Sequence, residues 1–349
     1  MPGHDLVRQV PPGAPLVDTP PCPVCDARQA RPTFELEGRT TRIVVCVGCG
    51  LGSLHPLPSE EEVRGFYPAD YYGHEGTKFV GLVEAPLRWV AARHVRFIVH
   101  DLPRGARVLD VGCGRGVLLS ALVERGLEAH GVELTEAAAR GADPRAEVRI
   151  APTLAGAGYP DAWFHRVIIW HVLEHLRDPR ATLAEVRRVL RPGGTVVVSV
   201  PNLSSLQARW AGPAWFHLDP PRHLWHFPLE ALRRLLAREG LAPVAEYHFS
   251  FRQNPFGWVQ SALNRVEALP RNALYELLHA GSAREAGLSR AQRLALRAAW
   301  FTAMPVAVGL SAVEAALRTG ATVCVVARKV CSTAAGDDAG RGGARAGSK

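Results

Sequence analysis

One ten-residue stretch narrows the folds open to this chain more than any other. In "RVLDVGCGRG", residues 107–116, an apolar run ends at an aspartate. It passes directly into glycines at alternate positions, Gly112, Gly114 and Gly116, and a helical pattern follows. A strand that must leave a sheet and enter a helix this abruptly uses backbone conformations that glycine adopts without strain. Around the loop the apolar period alternates. "RVLDVG", "EAHGVEL", "EVRI", "RVIIWHVL" and "TVVVSV" predict strands. Residues 116–126 and "PRATLAEVRRVL" predict helices, the second with Leu183, Val186 and Leu190 on one face. Repeated βα units with apolar strands predict an α/β fold with a doubly wound, mainly parallel sheet.

The loop also limits the ligand. A dinucleotide fingerprint needs its third glycine at position 117, which is Val117. Asp110 stands directly before the loop, where a carboxylate repels a pyrophosphate but suits a cation. Glu133 ends the next strand, the place from which an acid accepts both hydroxyls of a ribose. A ribose joined to a cationic amino-acid moiety describes S-adenosylmethionine.

"VLDVGCGRG", the acid in "GVEL", "WHVLEHLRDP" and "VLRPGGTVVVSVPN" occur in that order across residues 107–202. In these pieces the chain resembles the class I S-adenosylmethionine-dependent methyltransferases. The resemblance implies a Rossmann-like, seven-stranded sheet whose last strand, 322–330, inserts antiparallel beside 244–249. It also implies that Asp110, Gly112, Gly114 and Gly116 hold the methionine end, Glu133 the ribose, and Trp170 and His171 the wall beside the sulfonium. Glu174 and His175 then fall at the carboxyl end of the fourth strand, just before the helix opened by Asp178-Pro179. His175 is the candidate base and Glu174 its orienting partner; the bland reading is that both only cap the helix. In some methyltransferases with a Glu-His pair, the ubiquinone type among them, such residues surround a divalent metal, a lesser alternative here.

Upstream, Cys22, Cys25, Cys46 and Cys49 form two C-x2-C pairs, the pattern of a zinc ribbon with a structural ion. Iron in the same cage is the alternative. The module, 21–58, is read as too small for a core of its own, so metal supplies its folding energy. Segments 1–20 and 332–349 read as disordered, 59–105 as a helical linker or lid with an amphipathic helix over 84–101, and 106–331 as the catalytic domain. Within it, 252–320 breaks the βα rhythm and reads as an inserted helical hairpin. Val306, Leu310, Val313 and Leu317 mark an amphipathic face there, taken as packing or a dimer seam before a peripheral membrane contact.

The net charge is +8, but only Lys78, Lys329 and Lys349 are lysines and the arginines are scattered, which disfavours a nucleic-acid partner. The N-terminus shows no secretory signal, and the charge-free run Ala298–Val313 falls short of the ~20 residues of a membrane span. A cytoplasmic location is expected, where seven cysteines stay reduced.

The acceptor is expected to be a small molecule, a sugar or a glycan, methylated on oxygen, in cell-surface polysaccharide or secondary-metabolite biosynthesis. The four-cysteine module ahead of "YPADYY" resembles zinc-bearing methyltransferases of those pathways. Their tyrosine near the Glu-His pair is Val172 here, which tilts the reading from carbon to oxygen. "PAWFHLDPPRHLWHF", 213–227, is the expected acceptor loop, with His223 a second proton-transfer candidate. Two alternatives stand: an RNA base methyltransferase whose ribbon reads RNA, and a non-catalytic cofactor-binding protein.

Overall fold

The computed structural model describes residues 7–66, 97–278 and 288–330. Most of the expected 84–101 helix, and most of the linker or lid, lie outside the described residues.

The N-terminal part is a sheet of β1 (Val7–Gln9), β2 (Val17–Asp18), β3 (Gln29–Leu36), β4 (Arg42–Cys46) and β5 (Gly52–His55). β1 and β2 both pair with β3, so part of the segment expected to be disordered is ordered strand. Short β11 (Trp225–His226), from the distant acceptor loop, adds to β5 and completes the sheet. The module shares its core with the catalytic domain. Phe34, Leu36, Ile43 and Leu54 pack against Trp215, Leu218 and Leu224 of the catalytic domain. Ser59 then opens α1 (Glu60–Gly65) with the capping box that S-x-x-E encodes.

The catalytic domain is built on a second sheet, of seven strands. β6 (Arg107–Val111), β7 (Glu128–Glu133), β8 (Glu147–Ile150), β9 (Phe164–Trp170) and β10 (Leu190–Pro201) are parallel. β12 (Leu241–Tyr247) and β13 (Thr322–Lys329) complete it in the order β12-β13-β10-β9-β6-β7-β8. β13 is antiparallel to both neighbours, as expected of the last strand. Val167, Ile168 and Ile169 of β9 are wholly buried. Burial at such a position is worth roughly 1.5–3 kcal/mol per side chain.

Helices cover the faces: α2 (Val117–Val123), α3 (Glu136–Ala139), α4 (Pro179–Val189), α5 (Leu206–Ala211) and α6 (Leu229–Arg238). α4 shows the sequence logic. The Asp178 side chain accepts the Ala181 N–H, Pro179 occupies the first turn, and Leu183, Val186 and Val189 are buried.

The insertion is not a hairpin. Its described residues form three helices, α7 (Asn254–Leu263), α8 (Ala273–Leu278) and the long α9 (Arg290–Ala316). The stripe expected to serve as packing or a dimer seam does not pack within the chain among the described residues. Leu296, Ala307, Ser311 and Glu314 face inward, whereas Val306, Leu310, Val313 and Leu317 lie on the outer side. A helix uniformly apolar over this length carries no periodic signal strong enough to choose its inner face.

Candidate active site

A cavity of about 870 Å³ opens at the carboxyl ends of β6, β7, β9 and β10, where ligands of such sheets bind. The glycine loop forms its floor. Gly112, Gly114 and Gly116 all have left-handed φ, at +71°, +49° and +72°. A Cβ on Gly112 would come within 2.6 Å of Val172, so the glycine lets that valine seat on the loop. A Cβ on Gly114 would meet nothing within 4 Å, which leaves its backbone open to a ligand.

Glu133 closes the loop from the next strand. Its Oε2 accepts the Gly114 N–H at 2.8 Å and its Oε1 the Leu134 N–H at 2.7 Å. Burial pushes this carboxyl up against the pull of those two bonds. Asp110 is more extreme: burial first, then the charge of Glu133, raises it well above the usual carboxylate range. An entering cation would favour its ionised form. An open glycine backbone, an acid with remaining lone pairs and a buried carboxyl short of a positive partner fit S-adenosylmethionine. Trp170 and His171 line the same cavity.

The Glu-His pair is joined by a third side chain, His171. β9 ends at Trp170, His171 takes a φ of +54°, and residues 173–175 wind into a 3-10 turn. Glu174 and His175 each keep a ligand atom within 4.8 Å of the other, and the His171 Nδ1–H donates to Glu174 Oε1 at 3.2 Å. Burial pushes the Glu174 carboxyl up, but the His171 hydrogen bond foremost, with the surrounding imidazoles, outweighs it and holds it at about 2. Its Oε2 is buried and has no hydrogen-bond partner among the described residues.

Backbone also orients His175. Its Nδ1–H donates to the Arg222 carbonyl at 3.0 Å, and the His223 Nδ1–H donates to the His217 carbonyl at 2.8 Å. A carbonyl only accepts, so each neutral ring keeps its lone pair on Nε2. The two rings stand edge to face with centroids 4.7 Å apart. Burial foremost, with the nearby His175, pushes His223 down to about 3, so it stays neutral. Glu174, His175 and His223 each offer a ligand atom within 4.8 Å of the others, close enough to share a cation.

The acceptor loop contributes less aromatic surface than its sequence suggests. Trp215 and Phe227 are buried in the core, and the Trp225 Nε1–H is tied to the Leu176 carbonyl. Phe216 alone of these aromatics reaches the cavity, where Phe256, Tyr275 and Trp300 of the insertion join it. Phe216 lies 5.1 Å from Phe256 and 5.7 Å from Tyr275, centroid to centroid. Sequence reasoning missed this wall because its members come from helices whose apolar residues look like packing. It also passed over Asp219, which lines the cavity in an ion pair with Arg222.

A second centre lies in the N-terminal sheet. Cys22 and Cys49 sulfurs are 3.5 Å apart, as are those of Cys25 and Cys46, and all four lie within 4.8 Å of one another. Tetrahedral Zn–S bonds of about 2.3 Å put sulfurs ~3.8 Å apart, so the cage fits zinc. Gly48 is part of that fit, since a Cβ there would stand 2.9 Å from the Cys25 sulfur. Thiolates are the form in which cysteines ligate a metal, and four of them converge here.

Fold and site together define a Rossmann-like, nucleoside-binding enzyme domain. Comparison with known proteins sharpens the class. The family model described as a methyltransferase domain matches residues 86–246. A ubiquinone biosynthesis O-methyltransferase of Cereibacter sphaeroides is 31% identical over 192 residues, which cover 50% of this chain and 76% of the relative. A probable S-adenosylmethionine-dependent methyltransferase of Mycolicibacterium smegmatis is 39% identical over 101 residues, 28% of this chain and 39% of its own length. Among solved structures, a SAM-dependent methyltransferase from Archaeoglobus fulgidus superposes with a TM-score of 0.45 at 21% identity, covering 69% of this chain and 94% of that one. The chain belongs to the S-adenosylmethionine-dependent methyltransferases.

Proposed function

We propose that the chain methylates an oxygen of a small-molecule or sugar/glycan acceptor, in cell-surface polysaccharide or secondary-metabolite biosynthesis. The observation that carries the reading is the tautomer-fixed His175 beside an aromatic wall, within one cavity. Bound S-adenosylmethionine supplies a methyl group already activated on a sulfonium. The protein's remaining work is to position a hydroxyl and take its proton. His175, its Nδ1–H fixed on the Arg222 carbonyl, is the base. His223, held neutral, serves as a hydrogen-bonding neighbour rather than a second base. His171, fixed by Glu174, keeps that end of the cavity rigid.

Phe216, Phe256, Tyr275 and Trp300 offer faces for a sugar or aromatic ring and exclude water. The name of the C. sphaeroides relative specifies an O-methyltransferase, which favours oxygen here too. Four thiolates holding zinc leave no open position, so the N-terminal centre is structural.

The test is incubation with methyl-labelled S-adenosylmethionine and fractionated cell extract, with Glu133→Ala as the blank. Label in small-molecule, glycan or lipid-glycan fractions supports the reading. Label in RNA overturns it and makes the cysteine module an RNA-reading element.

A further inference from the structure

α9 carries its charges at one end and apolar surface along the rest. Arg290, Arg293 and Arg297 occupy the first turns. From Ala298 to Ala316 the one ionisable residue is Glu314, which is wholly buried and accepts the N–H groups of Gln207 and Trp258. Facing outward are Leu294, Phe301, Val306, Leu310, Val313 and Leu317, each 39–74% exposed. At 1.5 Å per residue this surface runs about 35 Å. Uncovered apolar surface of such extent marks an interaction site.

We propose that this face of α9 lies in the interfacial plane of an anionic lipid bilayer. Charge decides between the occupants. Among the described residues no carboxylate pairs with Arg290, Arg293 or Arg297. In a two-fold, antiparallel pairing of this face with a second copy, the arginines would meet the other copy's apolar end; in a parallel pairing they would meet each other. Neither arrangement brings them a counter-charge. A bilayer offers acyl chains to the apolar length and anionic headgroups to the arginines.

By length and composition α9 could cross a membrane, but its connections exclude that. Its inner face packs on α7, Glu314 is anchored to two neighbours, and the chain enters β13 within a few residues. The helix therefore lies on the surface rather than through it. Trp300 lines the acceptor cavity while Phe301, next in sequence, points out. Docking thus sets one wall of the cavity against the lipid.

The experiment is co-sedimentation of the full chain with phosphatidylcholine vesicles containing about one-third phosphatidylglycerol, and with pure phosphatidylcholine, alongside light scattering for mass. The expected result is binding to the anionic vesicles. Arg290→Gln/Arg293→Gln/Arg297→Gln should weaken it by about a hundredfold, at ~1 kcal/mol per charge. Phe301→Ser/Val313→Ser should abolish it with an unchanged thermal melt. Failure of the wild type to bind overturns the proposal, as does equal binding by both variants. A dimer that Phe301→Ser/Val313→Ser dissociates, with no vesicle binding by either form, identifies the face as a self-association seam and also overturns it.

Discussion

Leu224 joins the cysteine sheet to the acid of the active site through its own backbone. Its carbonyl accepts the N–H of Leu54 at 3.0 Å, and its N–H donates to the Glu174 carbonyl at 2.9 Å. The four-cysteine cage is thus a short backbone path from the catalytic edge. Removing the ion by chelation, or Cys25→Ser, should raise amide exchange at residues 52–55 and 224–226 while β9 and β10 stay protected. Unchanged protection at 224–226 would mean that the ribbon is not what holds the loop.

Glu133 is wedged between two backbone N–H groups and the place expected for a ribose. Glu133→Ala leaves both N–H groups without their acceptor and removes the hydroxyl contacts. Each hydrogen bond to a charged group is worth about 1.5–3 kcal/mol. Affinity for S-adenosylmethionine by calorimetry should fall about a hundredfold or more. An unchanged affinity would show the cofactor assignment to be wrong.

If His175 takes the proton, His175→Gln should lower kcat by about 10²–10⁴ while the KM for S-adenosylmethionine holds. His223→Gln should cost less, because a ring whose protonation is held near 3 is too weak a base to take a hydroxyl proton. The same assay with and without a chelator tests the cation alternative. Loss of activity restored by a divalent metal, in a variant lacking the Cys22 and Cys25 thiols, would reassign Glu174, His175 and His223 as its ligands.

Three buried imidazoles make the acceptor loop acid-sensitive. Burial foremost depresses His217 to about 3, His223 to about 3 and His226 to about 4, from 6.5. The unfolded chain therefore takes up protons that the folded one refuses. This contribution is fully present above pH ~6.5 and is lost as pH falls toward the folded values, with a limiting slope of about 4 kcal/mol per pH unit. His217→Gln should flatten the dependence of thermal stability on pH between about 6.5 and 4 by roughly a third. An equally steep curve would place the acid-sensitive groups elsewhere.

Glu314 has the opposite sign. Burial foremost raises its carboxyl from 4.5 to about 7. Its contribution is complete below pH ~4.5 and lost as pH rises through 7, at most about 3 kcal/mol and less with solvent screening. Glu314→Gln should therefore gain in melting temperature over the wild type as pH rises across that window. A constant difference would show that its ionisation is not coupled to folding.

The sheet, the glycine loop and the cysteine cage were legible because each rests on local spacing. Gly112, Gly114 and Gly116 need left-handed backbone, and that need is written as glycine. Two C-x2-C pairs announce their chemistry by composition. The pairing of Glu174 was not legible, since it depends on a φ of +54° at His171, a conformation that no residue type there signals. Nor was the recruitment of Trp225 and His226 into the N-terminal sheet, a contact across much of the chain. Which face of α9 packs inside the protein was not legible for a simpler reason: with apolar residues on both sides, periodicity does not say which side meets the protein.

β12 and β13 are hydrogen-bonded antiparallel neighbours, so in the topology of the sheet everything from 248 to 321 is one oversized hairpin loop. Closing so long a loop costs little more than closing a moderate one, because the entropy grows only with the logarithm of length. The kinetic consequence is larger, since the final strand docks only after its ends have met across the whole insertion. In exchange, the helices that supply Phe256, Tyr275 and Trp300 lie outside the parallel strands, so the cofactor loop and this wall of the acceptor cavity come from separate stretches of chain.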